Sequence, residues 1–297
     1  MKVKTLYTDG KGSFQEQEWD KPEITADQIE VRAEMTGICR SDIDMMNGWF
    51  GPLPIHMQGH EGLATVTMVG SNITDVQVGD IVATRGEPAY AAYYNADAGT
   101  YVKVPELHPR YILEPVACGV NVVMQCIREI AERSGPGKKL LIVGSGFLSW
   151  VAYNVLKINH LEFEIDVLGS HNLDLWGDML LMGTTDTYDV VIDLGGDDIY
   201  SRVNDSALII LGSGKAAGIR GSTLESLLWK AATIMFPSPR TPNFIKCMHL
   251  AKNWIEAGYL NVDSFWTKSY NRHTEWQMAF SEGVDRPLNY NRGFLYW

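Results

Sequence analysis

Along the first third of the chain the apolar residues fall in short alternating or β-branched runs. Val3 to Tyr7, Gln28 to Met35, Gly62 to Val69 and Asp80 to Thr84 are such runs, separated by Gly, Asn and Asp turns, and each predicts a strand. Short strands at this spacing predict a barrel-like or sandwich domain. Past Leu113 the period changes. Cys118 to Arg133 carries apolar residues at helical spacing and stops at Ser134-Gly-Pro-Gly137. Leu140 to Val143 is a continuous apolar run opening on Gly144-Ser145-Gly146, with a helical stretch from there to about Lys157. Ile165 to Leu168, Asp189 to Leu194 and Ala207 to Leu211 repeat the buried-strand pattern, the last ending in Gly212-Ser213-Gly214. Such strands alternating with helices predict a parallel, doubly wound sheet. The tail holds one amphipathic helix, Phe244 to Ala257, and no obvious core of its own, so it is expected to return to the first domain. The expected class is α/β: a β-rich domain from 1–116 with 237–297, and a doubly wound domain over 117–236.

Composition narrows the partners more than it changes this picture. The chain has 297 residues, long enough for two cores, and is 45% apolar and 21% charged, as ordinary globular proteins are. Its 25 basic and 36 acidic side chains give a net charge of −11, without a Lys/Arg cluster. Nucleic acid and anionic membrane both call for a positive surface, so neither is expected as a partner. No apolar run reaches the ~20 residues of a membrane span, and Met1-Lys2-Val3-Lys4 leads into a strand rather than a signal peptide, which predicts a cytoplasmic protein. Cys39, Cys118, Cys126 and Cys247 are widely separated and form no C-x-x-C pair, so neither a disulfide framework nor a Cys-rich structural zinc lobe is expected.

Two short stretches carry candidate chemistry. Gly37-Ile38-Cys39-Arg40-Ser41-Asp42 and Gly59-His60-Glu61-Gly62 offer a thiolate and an imidazole, good ligands for zinc, with carboxylates beside them to complete the shell or orient the histidine. Singly, such residues are commonplace: a lone Cys is usually a small buried hydrophobe. Together they resemble the catalytic-zinc signature of the medium-chain, zinc-containing alcohol dehydrogenases, and the resemblance extends over nearly the whole chain. It implies a GroES-like β-rich catalytic domain joined to a Rossmann domain. It also implies Cys39 and His60 as ligands, Ser41 as relay of the alcohol proton and Asp42 as support for the histidine. Glu61 matches a glutamate that is a direct or intermittent ligand in some branches. Leu113-Glu114-Pro115 resembles the Glu-Pro segment of the sorbitol, threonine and glucose dehydrogenase branches, where an acidic ligand replaces a cysteine; Glu114 is favoured over the competing Cys118, which is expected in the following helix. Where many relatives insert four cysteines, this chain has Arg85-Gly-Glu-Pro-Ala-Tyr-Ala-Ala-Tyr93, so one zinc per chain is expected.

Gly144-Ser145-Gly146-Phe147-Leu148-Ser149 matches G-x-G-x-x-G except for its last residue, and its strand-to-helix context is the one a pyrophosphate cradle needs. After the next strand, Gly169-Ser170-His171 offers no carboxylate for a ribose 2′-hydroxyl. It also resembles the Gly-Ser-Arg of NADP-dependent secondary alcohol dehydrogenases in this family. NADP(H) is therefore favoured over NAD(H), the alternative being a plain turn that admits either. Arg40 and Arg292 are candidates for the pyrophosphate or, equally, solvated charges. Only about twenty residues separate His171 from Asp193, so an abridged Rossmann domain is expected.

The resemblance implies a hydride transfer between a small alcohol or polyol, or its carbonyl, and NADP(H), in a homodimer or homotetramer. Trp49 and Phe50 are candidates for lining the substrate pocket, with Arg85 near its mouth; packing in a core is the alternative for the two aromatics. Two further readings are kept, a zinc-free quinone or enoyl reductase of the same fold and a non-catalytic NADPH-binding or interaction protein.

Overall fold

A computed structural model describes residues 1–196, 199–212 and 221–297. Ser213 and Gly214, which closed the last glycine pattern, lie outside the described residues. The chain divides into two compact units, Met1–Ala117 with Met248–Trp297, and Cys118–Cys247. The first boundary falls one residue after the expected 116, and the second eleven residues after the expected 236, inside a helix.

The first unit begins with a hairpin of β1 (Lys2–Tyr7) and β2 (Gln15–Asp20). β2 reads Gln-Glu-Gln-Glu-Trp-Asp, with no apolar alternation, and no strand is expected there. It forms because β1 supplies its ladder and because Lys2 and Lys4 face Glu18 and Glu16 across it, at 3.3 and 2.8 Å. β3 (Gln28–Gly37), helix α1 (Arg40–Met46), β4 (Glu61–Val69), β5 (Ile81–Arg85), β6 (Tyr93–Asp97) and β7 (Tyr101–Val104) follow. Next comes α2 (Leu113–Met124), which begins in this unit and passes into the second. The helix therefore starts five residues before the expected Cys118 and takes in Glu114 and Cys118 together. Pro115 does not prevent this, because a proline in the first turn removes no intrahelical hydrogen bond.

The second unit continues with α3 (Ile127–Ala131), β8 (Lys139–Val143), α4 (Phe147–Ile158), β9 (Glu164–Leu168), the short α5 (Leu173–Trp176), β10 (Leu180–Leu181), β11 (Tyr188–Asp193), β12 (Val203–Leu211), α6 (Gly221–Trp229) and β13 (Thr233–Met235). Its sheet is parallel throughout and runs β10-β9-β8-β11-β12-β13. That is the 3-2-1-4-5-6 order of a dinucleotide-binding fold. The abridgement lies in its third strand, which is two residues long, and in the connection from there to β11, where no helix forms. Leu141, Val143, Val191, Ile209, Leu211 and Leu227 fill its core.

α7 (Phe244–Glu256) leads the chain back to the first unit, which ends with β14 (Trp266–Asn271), α8 (Trp276–Asp285) and β15 (Arg292–Tyr296). The seven-stranded sheet there has the path β14-β15-β3-β4-β5-β7, with β6 also paired to β3. β15 pairs antiparallel with β3, Phe294 opposite Gly37, so the tail completes the β-rich core as its lack of an independent one implied. No helix of the described residues is long and apolar enough to cross a membrane.

Candidate metal centre and dinucleotide loop

Cys39 sits at the start of α1, at the point where β3 ends, and His60 and Glu61 stand at the start of the neighbouring strand β4. The antiparallel pairing of β3 with β4 therefore brings residues 21 and 22 positions apart to one end of the sheet. One ligand atom from each of Cys39, His60 and Glu61 lies within 4.8 Å of the others, the one such group among the described residues. Gly59 is required for this: its φ is +76°, and a Cβ would come within 2.6 Å of the Tyr90 ring.

A buried scaffold fixes the side chains. Asp42, fully buried, accepts from the Cys39 backbone N–H and from the Tyr90 hydroxyl, both at 2.8 Å and both on Oδ2. Its Oδ1 lies 3.6 Å from His60 Nδ1. Tyr90 is held in turn by aromatic packing, edge-on to Phe14 and to Phe280, which stack on each other with centroids 4.0 Å apart. Glu61 is buried and its Oε2 accepts from the Arg292 guanidinium, which also lies over the Trp266 ring at 5.0 Å.

The electrostatics follow from so many acidic groups in one dry place. Burial, then the charge of Glu61, pushes the Cys39 thiol up, and burial does the same to the Asp42 carboxyl. Burial pulls the His60 imidazole down, but the charges of Asp42 and Glu114 and the hydrogen bond with Cys39 outweigh it and hold it well above its ordinary value. Burial lowers Arg292, yet Glu61 and Cys39 more than reverse this and raise it. Two buried oxygens, Asp42 Oδ1 and Glu61 Oε1, have no hydrogen-bond partner. Buried carboxylate oxygens are rarely left so, and a cation at the Cys39, His60 and Glu61 group would satisfy Glu61 Oε1 and reverse the local excess of negative charge. Thiolate, imidazole and carboxylate are a donor set that suits zinc.

The remaining expected site residues are placed as follows. Ser41 is half-buried in the first turn of α1. Glu114 is buried in the first turn of α2, outside the three-residue group, although its charge reaches His60. Arg85 stands directly opposite Glu61 in the β4–β5 ladder. Trp49 and Phe50 are 70% and 56% exposed in the segment after α1, so neither packs in a core. Arg40 is exposed and pairs with Asp44 at 3.4 Å, one helical turn on. Arg292, read from the sequence as a candidate for the pyrophosphate, is engaged by Glu61. Sequence reasoning missed Tyr90, which lies in the stretch noted only for its lack of cysteines; no local pattern marks it.

In the second unit, Gly144 has a φ of +99° and Gly146 caps α4, so Phe147 and Leu148 open the helix whose free amides point toward the loop. Ser149 is buried, with its Oγ 3.4 Å from where a Gly144 Cβ would be, so serine fills the place of the third glycine without displacing the loop. Ser145 ties the loop to the end of β9. Its Oγ accepts from the His171 N–H at 3.0 Å, and its carbonyl accepts from Asn172 Nδ2 and Trp176 Nε1. Gly169 permits this approach, because a Cβ there would meet Ser145 Oγ at 2.5 Å. Ser170 Oγ lies 3.2 Å from His171 Nδ1. A further missed residue is Asp193, fully buried at the end of β11. It accepts from the Gly195 and Gly196 N–H groups at 3.1 and 2.7 Å and from the Tyr200 hydroxyl at 2.7 Å, and so shapes the next loop at the carboxyl edge of the sheet.

Residues 25–108 match the alcohol dehydrogenase GroES-like domain family. An alcohol dehydrogenase of Moraxella sp. is 37% identical over 200 residues, 56% of this chain and 58% of that one. D-arabinitol dehydrogenase 1 of Uromyces fabae is 24% identical over 95% of this chain and 94% of its own. The chain spans about half the length of the curated relatives it matches first. Among solved structures, acetophenone reductase from Geotrichum candidum in complex with NAD superposes with a TM-score of 0.81, over 100% of this chain and 97% of that one, at 15% identity. The chain thus has a GroES-like β-rich domain and a parallel Rossmann-like sheet, with a single candidate metal centre among its described residues.

Proposed function

We propose that the chain is a zinc-dependent oxidoreductase that transfers a hydride between a small alcohol or polyol, or its carbonyl, and NADP(H). The observation that carries this is the convergence of Cys39, His60 and Glu61 within 4.8 Å, on the domain that resembles those of alcohol dehydrogenases. When bound, zinc supplies Lewis acidity toward a hydroxyl or carbonyl oxygen, and the nicotinamide supplies the hydride acceptor or donor.

The chain's own residues do the rest. Cys39, His60 and Glu61 hold the metal, and Glu114 stands by as a further carboxylate whose charge already reaches His60. Asp42, clamped by Tyr90, places a carboxylate oxygen 3.6 Å from His60 Nδ1 and so biases the imidazole electrostatically. Arg292 neutralises one oxygen of Glu61 and leaves the other to the metal. Ser41, half-buried in the first turn of α1, takes up the alcohol proton at Oγ and passes it outward. The Gly144–Leu148 turn offers backbone N–H groups to a pyrophosphate, and the absence of a carboxylate over Leu168–His171 removes the repulsion that a 2′-phosphate would meet.

The test is elemental analysis for zinc on protein purified without added metal, alongside Cys39→Ala, followed by turnover with a panel of alcohols. Close to one zinc per chain, lost in the variant, together with NADP-linked turnover is expected. Folded wild type without zinc would overturn the mechanism in favour of a zinc-free reductase.

A further inference from the structure

The second unit contains a cavity of about 420 Å³ whose wall includes Gly169 and Ser170 from the end of β9, Met182 and Thr184 from the connection after β10, and Ile199 and Arg202 from the connection after β11. In doubly wound sheets a dinucleotide's adenosine ribose meets the carboxyl end of the second strand, which β9 is here. The cavity wall runs from that end to Arg202, just before the start of β12, and the abridged connection between β10 and β11 beside it holds no helix.

Arg202 is the cation in this wall. Its backbone is fixed, with its N–H donating to the Ile199 carbonyl at 2.9 Å and its own carbonyl accepting from the Tyr188 N–H at 3.1 Å. Its guanidinium has no hydrogen-bond or ion-pair partner among the described residues. No carboxylate lines the cavity among those residues. Asp166, on the same strand as Leu168, is taken up by the Tyr188 hydroxyl at 3.0 Å, and that hydroxyl also meets Thr184 Oγ1 at 2.8 Å. Asp197 and Asp198 lie outside the described residues. An unengaged guanidinium in one wall with the Ser170 hydroxyl is a donor set for a phosphomonoester, which a planar fork of N–H groups grips on two oxygens.

We propose that Arg202 recognises the 2′-phosphate of the adenosine ribose, and that this residue, supplied by the β11–β12 connection, sets the preference for the phosphorylated cofactor. The inference rests on the NADP reading above and adds to it a determinant about thirty positions away from the Gly169-Ser170-His171 segment in which that reading placed the choice. Shortening one connection of the sheet leaves room for a residue of the next to serve the same ribose.

The test is equilibrium binding, by calorimetry on the full chain, of adenosine 2′,5′-bisphosphate and of 5′-AMP to wild type, Arg202→Gln, Arg202→Lys and His171→Ala. Wild type is expected to prefer the bisphosphate. Arg202→Gln is expected to weaken the bisphosphate about 10- to 100-fold, the worth of a charge-assisted contact, with 5′-AMP unchanged. Arg202→Lys, which keeps the charge and tests the site should the glutamine variant fail to fold, is expected to fall between. A wild-type preference that survives both Arg202 variants but disappears in His171→Ala overturns the role of Arg202 and leaves the NADP reading intact. A wild type that binds 5′-AMP as well or better overturns both. Equal weakening of both probes by the Arg202 variants assigns the residue to packing and also overturns the proposal.

Discussion

In the first unit, Cys39, Asp42, His60, Glu61, Tyr90 and Arg292 form a closed set in which each side chain is held by another and the whole rests on the stacked rings of Phe14 and Phe280. In the second unit, the glycine turn is tied by Ser145 to the segment after β9, while the cavity beside it is lined by an Arg202 guanidinium with no partner among the described residues. The first arrangement suits one small ion held in one geometry. The second leaves one cation uncommitted among the described residues, in a cavity large enough for part of a larger ligand.

That contrast can be broken from the metal side with the largest effect. Cys39→Ala removes a ligand and is expected to abolish stoichiometric zinc and to lower turnover on the order of 10³-fold, with 5′-AMP binding unchanged, as elemental analysis, steady-state assay and calorimetry would read. A comparable loss of nucleotide binding would show that the two regions are not independent. Gly169→Ala strikes the other side: its Cβ collides with Ser145, so binding of both adenosine probes is expected to fall at least about tenfold while zinc content stays at wild-type level. Tyr90→Phe deletes only the hydroxyl that holds Asp42. It is expected to weaken zinc retention against a competing chelator about 10-fold or more, with the circular-dichroism spectrum of wild type.

The smallest expected effect concerns stability. In the first unit Lys21 and Glu30 form a buried pair at 2.8 Å, and Lys21 also donates to Asn95. Burial raises the Glu30 carboxyl, but Lys21 and Thr67 outweigh it and hold its pKa below the ordinary value. A carboxyl depressed in the folded state contributes stability above its unfolded pKa and loses it as pH falls through the folded one, so the contribution should fade below pH of about 4. Lys21→Met leaves Glu30 without its cation and is expected to cost about 2 kcal/mol at neutral pH, and less as the pH falls and Glu30 becomes protonated. Urea titrations of both proteins at pH 7 and at acid pH would read the difference; an unchanged gap across that range would remove the pair from the account.

The legible parts were those in which chemistry and sequence neighbourhood coincide. Cys39 lies just before Asp42, and His60 adjoins Glu61, so the short motifs carried the donor set, and the β3–β4 pairing had only to bring the two together. The continuous apolar runs of β8, β9, β11 and β12 were equally plain, because strands covered on both faces have no polar side to disguise them. The start of α2 was not legible, since Pro115 reads as a breaker unless its place in the first turn is known. β2 was hidden for a different reason: with Glu16, Glu18 and Asp20 on one face and two glutamines on the other, it becomes a strand only when a partner strand with matching lysines lies beside it.

By itself, then, the sequence determined the two kinds of sheet, the glycine turn and the candidate ligands, all of which depend on residue type and on spacing within a few positions. Tertiary structure decided the rest. It put Arg292 against Glu61 across 231 positions and Tyr90 against Asp42 across 48, and set Arg202 in the same wall as Ser170. The physical reason is that a side chain's charge state and its partner depend on what is buried beside it, and that is settled by how strands and loops pack rather than by their order in the chain.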